Sequence, residues 1–216
     1  MTCDFISAEN LVLLRDFGSA TVYEAQGAKG ALDSGIKPID SSMRLAGPAF
    51  TVDTRPADNL MLHYALLKAK PGDVLVVDAK AFVEAGPWGD VMTQQALQIG
   101  LAGLVINGAV RDANTIIEMG FPVFCRGLSI KSTGKNQPGR VNVPICIGDM
   151  EINPGDIIIG DCDGLVVVKK DEVDMALRNS QARIEKENMF REEIKKGVMT
   201  SELLGLDETL RKFNLI

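Results

Sequence analysis

Apolar residues recur at helical spacing along some stretches of this chain and in alternating or unbroken runs along others, and the two patterns take turns. "SAENLVLLRDFG" opens with Ser7 three residues before Asn10, a capping arrangement, and continues at helical spacing. "SATVYEAQG" predicts a second short helix, with Ser19 or Thr21 as its cap and Gly27 as its stop. "MRLAGPAFTVDTRP" alternates and becomes β-branched, which predicts a strand ending at Arg55-Pro56. "DNLMLHYALLKAKPG" predicts a helix capped by Asp58 and closed by Pro71-Gly72, and "DVLVVDA" a buried strand.

The alternation continues with "WGDVMTQQALQIG", a helix beginning just after Gly89 with Asp90 at or near its N-cap. "LAGLVINGAV" predicts a strand, "DANTIIEMG" a helix capped by Asp112, and "FPVFCRG" another strand. After the polar loop "KSTGKNQPGRVN", the segment "VPICIGDMEINPGDIIIGDCDGLVVVKK" predicts short strands with tight turns. "DEVDMALRNSQARIEKENMFREEIKKG" is one long amphipathic helix, and "TSELLGLDETLRKF" a short tail helix. "PGDVLVVD" at 71–78 echoes "PGDIIIGD" at 154–161, which fits either pseudo-symmetric halves or one turn used twice. No linker composition interrupts the chain, so the pattern predicts one α/β domain, with its core at 45–170 and a helical segment at 171–216.

Composition narrows the function more than the fold. With 46% hydrophobic and 24% charged residues, the 216-residue chain has the make-up of a soluble globular protein. A net charge of −6 argues against nonspecific nucleic-acid binding, and runs such as "GLAGLVI" are too short to span a bilayer. "MTCDFISAEN" lacks the pattern of a signal peptide, which leads to the expectation of a cytoplasmic protein. Cys3, Cys125, Cys146 and Cys162 match no zinc spacing and are expected to be buried thiols. The one histidine, His63, sits among apolar residues at helical spacing and is expected on the helix surface or in packing; a histidine-rich metal site is excluded.

Candidate chemistry lies in "GDVMTQQALQIGLAGLVINGAVRD". A helix followed by an antiparallel strand brings the start of one beside the end of the other, so Asp90 should meet Arg111 and Asp112 across twenty intervening residues. The amides of Val91 and Met92, free at a helix start, are suited to an anion, and Arg111 to a carboxylate. Asp112 is suited to a hard divalent cation, and a small 2-oxo acid fits the whole inventory. Spacing alone also admits the plainer alternative of two helix caps with Arg111 paired to one of them.

The words "GPAFTV", "DNLMLHYAL", "KPGDVLVVD", "WGDVMTQQA", "GLVINGAVRD", "FPVFCRG" and "PGDIIIGDCDGLVVV" occur in the order found in one family. Over residues 45–170 the chain resembles the class II pyruvate aldolases related to the regulator of ribonuclease activity A. The resemblance implies an αββα sandwich of the swivelling-domain kind, assembled as homotrimers or hexamers with shared sites. It implies Asp112 as ligand of Mg²⁺ or Mn²⁺, Arg111 at the developing enolate, and Asp90 holding a proton-carrying water. It also implies Lys135 against a substrate carboxylate and Glu187 reaching a neighbouring subunit's site. For Glu187 the solvated face of an amphipathic helix is the competing reading. Thr115 stands where the family has an acidic residue, and Glu118, one turn on, is a candidate replacement.

The activity so implied is retro-aldol cleavage of a 4-hydroxy-2-oxo di- or tricarboxylic acid to pyruvate, with oxaloacetate decarboxylation as a side reaction and no Schiff-base lysine. The alternative is a non-catalytic regulator of an RNA-degrading enzyme, against which Asp90 argues. A nucleotide-dependent methyltransferase is excluded, because no Gly-rich nucleotide loop is present.

Overall fold

A computed structural model describes residues 6–216. The N-terminal expectations for Cys3 and for the first five positions lie outside the described residues. Helices α1 (Ala8–Phe17) and α2 (Ser19–Ala25) come first, followed by β1 (Lys37–Pro38) and β2 (Leu45–Asp53). Then α3 (Leu60–Leu66), β3 (Val74–Phe82), α4 (Asp90–Ile99), β4 (Gly103–Val110) and α5 (Ala113–Glu118) alternate as the pattern predicts. The β-rich part holds β5 (Val123–Cys125), β6 (Gly127–Leu128), β7 (Arg140–Val141), β8 (Ile145–Ile147), β9 (Met150–Ile152), β10 (Ile157–Gly160) and β11 (Leu165–Val168). The chain closes with α6 (Val173–Lys195), α7 (Thr200–Leu203) and α8 (Asp207–Lys212).

The main sheet runs β1-β5-β4-β3-β2-β10-β11, with β2 to β5 parallel and β10 and β11 antiparallel. It nearly closes into a barrel. Residues 30–39 cross from β11, where Leu32 N–H donates to the Leu165 carbonyl at 2.9 Å, to β5, where Ile39 N–H donates to the Val123 carbonyl at 3.0 Å. Three apolar clusters fill the layers. One lies between α3, α4, α5 and the parallel strands, around Trp88 and Phe121. A second fills the barrel interior with residues such as Val74, Val105, Phe124 and Ile158. A third packs α1, α2 and the start of α6 on β10 and β11. Each fully buried leucine or isoleucine in them stabilises the fold by roughly 1.5–3 kcal/mol. The result is a mixed α/β single domain with helices outside two facing parts of one sheet. Among the described residues no helix is long and apolar enough to cross a membrane.

Several local expectations are corrected. Ser19 does not cap α2, which starts from Gly18; its hydroxyl and amide both bond Asp161, at 2.6 and 2.7 Å. The α3 helix ends at Leu66, short of Pro71. The predicted tail helix is two, α7 and α8, because Gly205 between them takes φ +65°. Cys125 is buried, but Cys146 and Cys162 are exposed. Alternation along β8 points Cys146 outward between two buried isoleucines, and Cys162 lies in the β10–β11 turn. The repeated Pro-Gly-Asp is one turn used twice: Asp73 accepts from Lys70 N–H and Asp156 from Asn153 N–H, three residues back in each case. The strands that follow flank β2 on opposite sides and in opposite directions.

Candidate active site

The β3–α4–β4 unit places its chemistry as its connectivity dictates. β3 and β4 are parallel, so α4 runs back between them and starts beside the end of β4. The approach is tied down by backbone: Arg111 N–H donates to the Trp88 carbonyl at 2.9 Å, and buried Trp88 is itself held by its indole N–H on Thr93 Oγ at 2.7 Å. Asp90, Arg111 and Asp112 therefore meet. Asp112 Oδ2 lies 3.3 Å from Arg111 Nε and 3.5 Å from the Asp90 amide nitrogen. Gly89 sits between them in an extended conformation, so close that a Cβ there would overlap Asp112 Oδ2.

Asp112 is not a helix cap in the expected sense. It occupies the N-cap position of α5 but with φ +58° and ψ +34°, and its side chain bonds no α5 amide. A non-glycine residue in the left-handed region is uncommon, and such conformations gather at functional sites. The turn directs the carboxylate away from α5 and toward Gly89 and Arg111. Both side chains remain accessible, at 36% for Asp112 and 46% for Arg111. The expected anion cradle is only half present: the Val91 amide donates to Asp90 Oδ1 at 2.8 Å and the Asp90 amide faces Asp112 Oδ2, leaving Met92 N–H as the first-turn amide with no bond among the described residues.

A cavity of about 270 Å³ opens beside this trio, lined in part by Arg111, Val91, Met92, Lys135, His63 and Asn59. Four residues chosen from sequence, Val91, Met92, Arg111 and Lys135, thus line one cavity. Lys135 reaches it because its loop is pinned. Asp58 Oδ2 accepts from Asn136 N–H at 2.9 Å and Gln137 N–H at 3.2 Å, while its Oδ1 takes Leu60 N–H at 2.9 Å. Burial raises the Asp58 pKa, but those amide bonds outweigh it and hold the carboxyl below its usual range. Gly86 N–H, on the Lys131 carbonyl at 3.0 Å, ties the same loop to the segment preceding α4. His63 is on the helix surface as expected, yet also on the cavity wall. Partial burial, then the nearby Lys135 charge, lowers its pKa. Asn59 was not singled out from sequence; its position four residues before His63 on the same helical face was the available signal.

Other expected contributors lie elsewhere. Glu187 pairs with Arg183 and Arg191, each at 3.0 Å, on α6, which packs against α1 and α2 on the far side of the sheet; this chain does not bring it to its own cavity. Thr115 is exposed on α5. Glu118 ends α5 six positions from Asp112, roughly 9 Å of helical rise away, and bonds none of the trio among the described residues. Lys80 is engaged by Asp53 at 2.6 Å and Asp78 at 2.5 Å, and Lys131 by Glu84.

The donor set suits a hard divalent cation. Asp112 Oδ1 and Asp90 Oδ2 accept no bond from the described residues, and both are carboxylate oxygens with no thiol or imidazole beside them on the trio. Asp161, Cys162 and Asp163 also lie within ligand distance of one another. There, however, Asp161 is committed to Ser19 and to the Asp163 amide at 3.0 Å.

Comparison with known proteins bears on this geometry. Residues 18–167 match a family model described as RraA-like, Aldolase/RraA. A protein of Halalkalibacterium halodurans named "Putative 4-hydroxy-4-methyl-2-oxoglutarate aldolase" is 40% identical over 152 residues, covering 70% of this chain and 72% of its own. An uncharacterized protein of Pseudomonas syringae has a similar structure, with a TM-score of 0.80 and 29% identity over 91% of this chain and 97% of its own. Streptomyces coelicolor RraAS2, described as an unusual member of the RNase ES inhibitor RraA protein family, gives a TM-score of 0.77 and 28% identity over 87% of this chain and 98% of its own.

Proposed function

The chain belongs to the RraA-like Aldolase/RraA family, and from that premise we propose that it is a divalent-metal-dependent aldolase cleaving a 4-hydroxy-2-oxo di- or tricarboxylic acid to pyruvate and a second 2-oxo acid. The observation that carries the reading is the meeting of Asp90, Arg111 and Asp112 beside a cavity that Arg111 lines, whose charged lining residues are Arg111 and Lys135 with no carboxylate among them. In a chain of net charge −6, that lining selects an anion.

In this reading Mg²⁺ or Mn²⁺ held by Asp112 supplies electrophilic polarisation at the 2-oxo group. Arg111 stands where negative charge develops as the C3–C4 bond breaks, which favours the transition state over the ground state. Asp90, beside it, holds a water that takes the C4 hydroxyl proton and returns a proton to C3, so no co-reactant is consumed. Met92 N–H and Arg111 orient the C1 carboxylate, and Lys135 holds the distal one. Oxaloacetate decarboxylation follows from the same electron sink. Copies of the chain are inferred to assemble as a trimer or a dimer of trimers, with Glu187 serving a neighbour; a fully active monomer by light scattering contradicts this.

A lactate-dehydrogenase-coupled assay of pyruvate release from 4-substituted 4-hydroxy-2-oxo acids, with Mg²⁺, with Mn²⁺ and with chelator, tests the reading. Release that persists at full rate after exhaustive chelation refutes metal dependence. The likeness to an RNase ES inhibitor family member supports a second reading, a non-catalytic regulator of an RNA-degrading enzyme. That reading predicts no pyruvate release with any substrate.

A further inference from the structure

The strand that leads into the candidate site ends in a bulge. β3 and β4 pair regularly as far as Val77 and Ile106, and the next pair is Phe82 with Gly108, so residues 78–81 stand opposite Asn107 alone. Inside the bulge Lys80 and Ala81 take φ +60° and +56°. Two successive non-glycine residues in the left-handed region are uncommon and unfavourable, and they persist only where their surroundings hold them. Those surroundings are polar and specific. Oδ1 of buried Asp78 accepts from Lys80 N–H at 2.9 Å and from Asn107 Nδ2 at 2.8 Å. Asp53 lies opposite Asp78 on β2, so two carboxylates sit side by side at the strand ends. The Lys80 ammonium lies between them, 2.5 Å from Asp78 Oδ2 and 2.6 Å from Asp53 Oδ1. Without a cation there, like charges would face each other across the pair.

The bulge decides where the chain goes next. It presses on β4 so closely that a Cβ on Gly108 would stand 2.9 Å from Ala79 Cβ and 3.2 Å from the Phe82 carbonyl oxygen. Residues 83–89 then cross the end of β4. A Cβ on Gly86 would stand 3.1 Å from Arg111 Cβ, and the Trp88 carbonyl takes Arg111 N–H. Bulges beside active sites re-aim the residues that follow them. We infer that Lys80 is a positioning residue: clamped between Asp53 and Asp78, it holds the 78–81 bulge in its left-handed form and so sets where residues 86–89 meet Arg111 and Asp112. The inference rests on the aldolase reading for its effect on turnover. Its effect on the segment itself is read without any substrate, because buried Trp88 is the one tryptophan of the chain.

The test compares Lys80→Met and Lys80→Arg with the wild type, on the full chain with Mg²⁺. It measures kcat and KM for pyruvate release, acrylamide quenching of Trp88, and the folded fraction by circular dichroism. Lys80→Met should lower kcat per folded molecule about tenfold or more, with KM within about threefold, because a misplaced Arg111 loses most in the transition state. Its Trp88 quenching constant should rise about twofold or more as the segment loosens. Lys80→Arg keeps a cation between the carboxylates and should stay within about threefold of the wild type in both readouts. An arginine variant as impaired as the methionine one shows that the charge does not hold the bulge, and overturns the inference. So does Lys80→Met with wild-type kcat per folded molecule and unchanged quenching, which reduces Lys80 to a stabilising role. Should Lys80→Met fail to fold, Asp53→Asn weakens the clamp from β2 and should move kcat and quenching the same way, by about threefold and less than twofold; wild-type values there refute the clamp. If the wild type releases no pyruvate, the aldolase reading fails separately, and the quenching comparison alone decides.

Discussion

Gly89→Ala separates the site from the fold. Gly89 has φ −152° and ψ −169°, extended backbone that alanine adopts freely, so the substitution introduces no backbone strain. Its whole effect is the new methyl group. A Cβ at this position overlaps Asp112 Oδ2 and stands 3.1 Å from Arg111 Nε and 3.2 Å from Arg111 Cγ. To regain ordinary van der Waals separation the Asp112 carboxylate must retreat by roughly 1 Å. It can do so, because the side chain is 36% exposed and caps nothing. The folding cost is therefore small, about 1 kcal/mol or less, and is partly offset by the lower entropy of an unfolded chain with alanine in place of glycine. For a chain of this size that moves Tm by no more than about 4 °C.

Catalysis is the sensitive quantity. Misplacing a reacting or ligating group by about 1 Å costs on the order of 10²-fold in rate. We therefore expect Gly89→Ala to lose about two orders of magnitude in pyruvate release while its thermal unfolding changes little. Calorimetric melting and the coupled assay on one preparation measure both. Full activity would show that the Asp112 position is not used in the reaction. A fall in Tm of about 10 °C or more would show that the Gly89 contact supports the helix start rather than the chemistry.

Further expectations follow from the same geometry. Asp90→Ala leaves Arg111 and Asp112 in place and frees the Val91 amide, so pyruvate should still bind with Mg²⁺, whereas proton exchange at its methyl group and cleavage should both collapse; loss of binding as well would reduce Asp90 to a structural role. Arg111→Ala keeps the backbone bond to Trp88 and should lower turnover about 10²-fold or more without unfolding the loop, checked by kcat and by circular dichroism. Asp161→Asn tests a remote buried carboxylate: burial raises its pKa, but the bonds from Ser19 outweigh this and set it below the usual 3.8. Its contribution is thus present above that value and lost as pH falls through the lowered folded pKa, so the variant should be less stable than the wild type near neutrality, with the gap closing at the acid end; a gap independent of pH refutes the assignment.

What could be read from the sequence follows the reach of each interaction. Asp90 and the Arg111-Asp112 pair belong to one β-α-β unit, so their meeting follows from a local pattern and the handedness of its connection. The placement of Lys135 depends on amides at 136 and 137 folding onto the carboxylate of Asp58, far back in the chain. Composition marks that segment as a loop and says nothing of where it lands. Asn59 was invisible for the opposite reason. In sequence it is an ordinary cap residue beside another, and only the bond from its amide to Pro87 shows that its side chain has left the helix end. The exposed cysteines show the limit of flanking sequence: β8 is strand-like on both sides of Cys146, but a three-residue strand whose two isoleucines face the core turns the residue between them outward.

Asp112 concentrates the difficulty. Sequence spacing admits both a carboxylate that caps α5, the plainer reading, and one that serves a site, because aspartate suits both and tolerates the left-handed region better than most residues. What separates the two is a backbone dihedral. With φ at +58° the carboxylate turns from the α5 amides toward Arg111, and Gly89 is the residue whose missing side chain leaves room for that turn. The glycine before Asp90, which reads as a plain helix boundary, is thus what leaves room for a residue in a capping position to turn its carboxylate toward Arg111, and it lies twenty-three positions from the aspartate it accommodates.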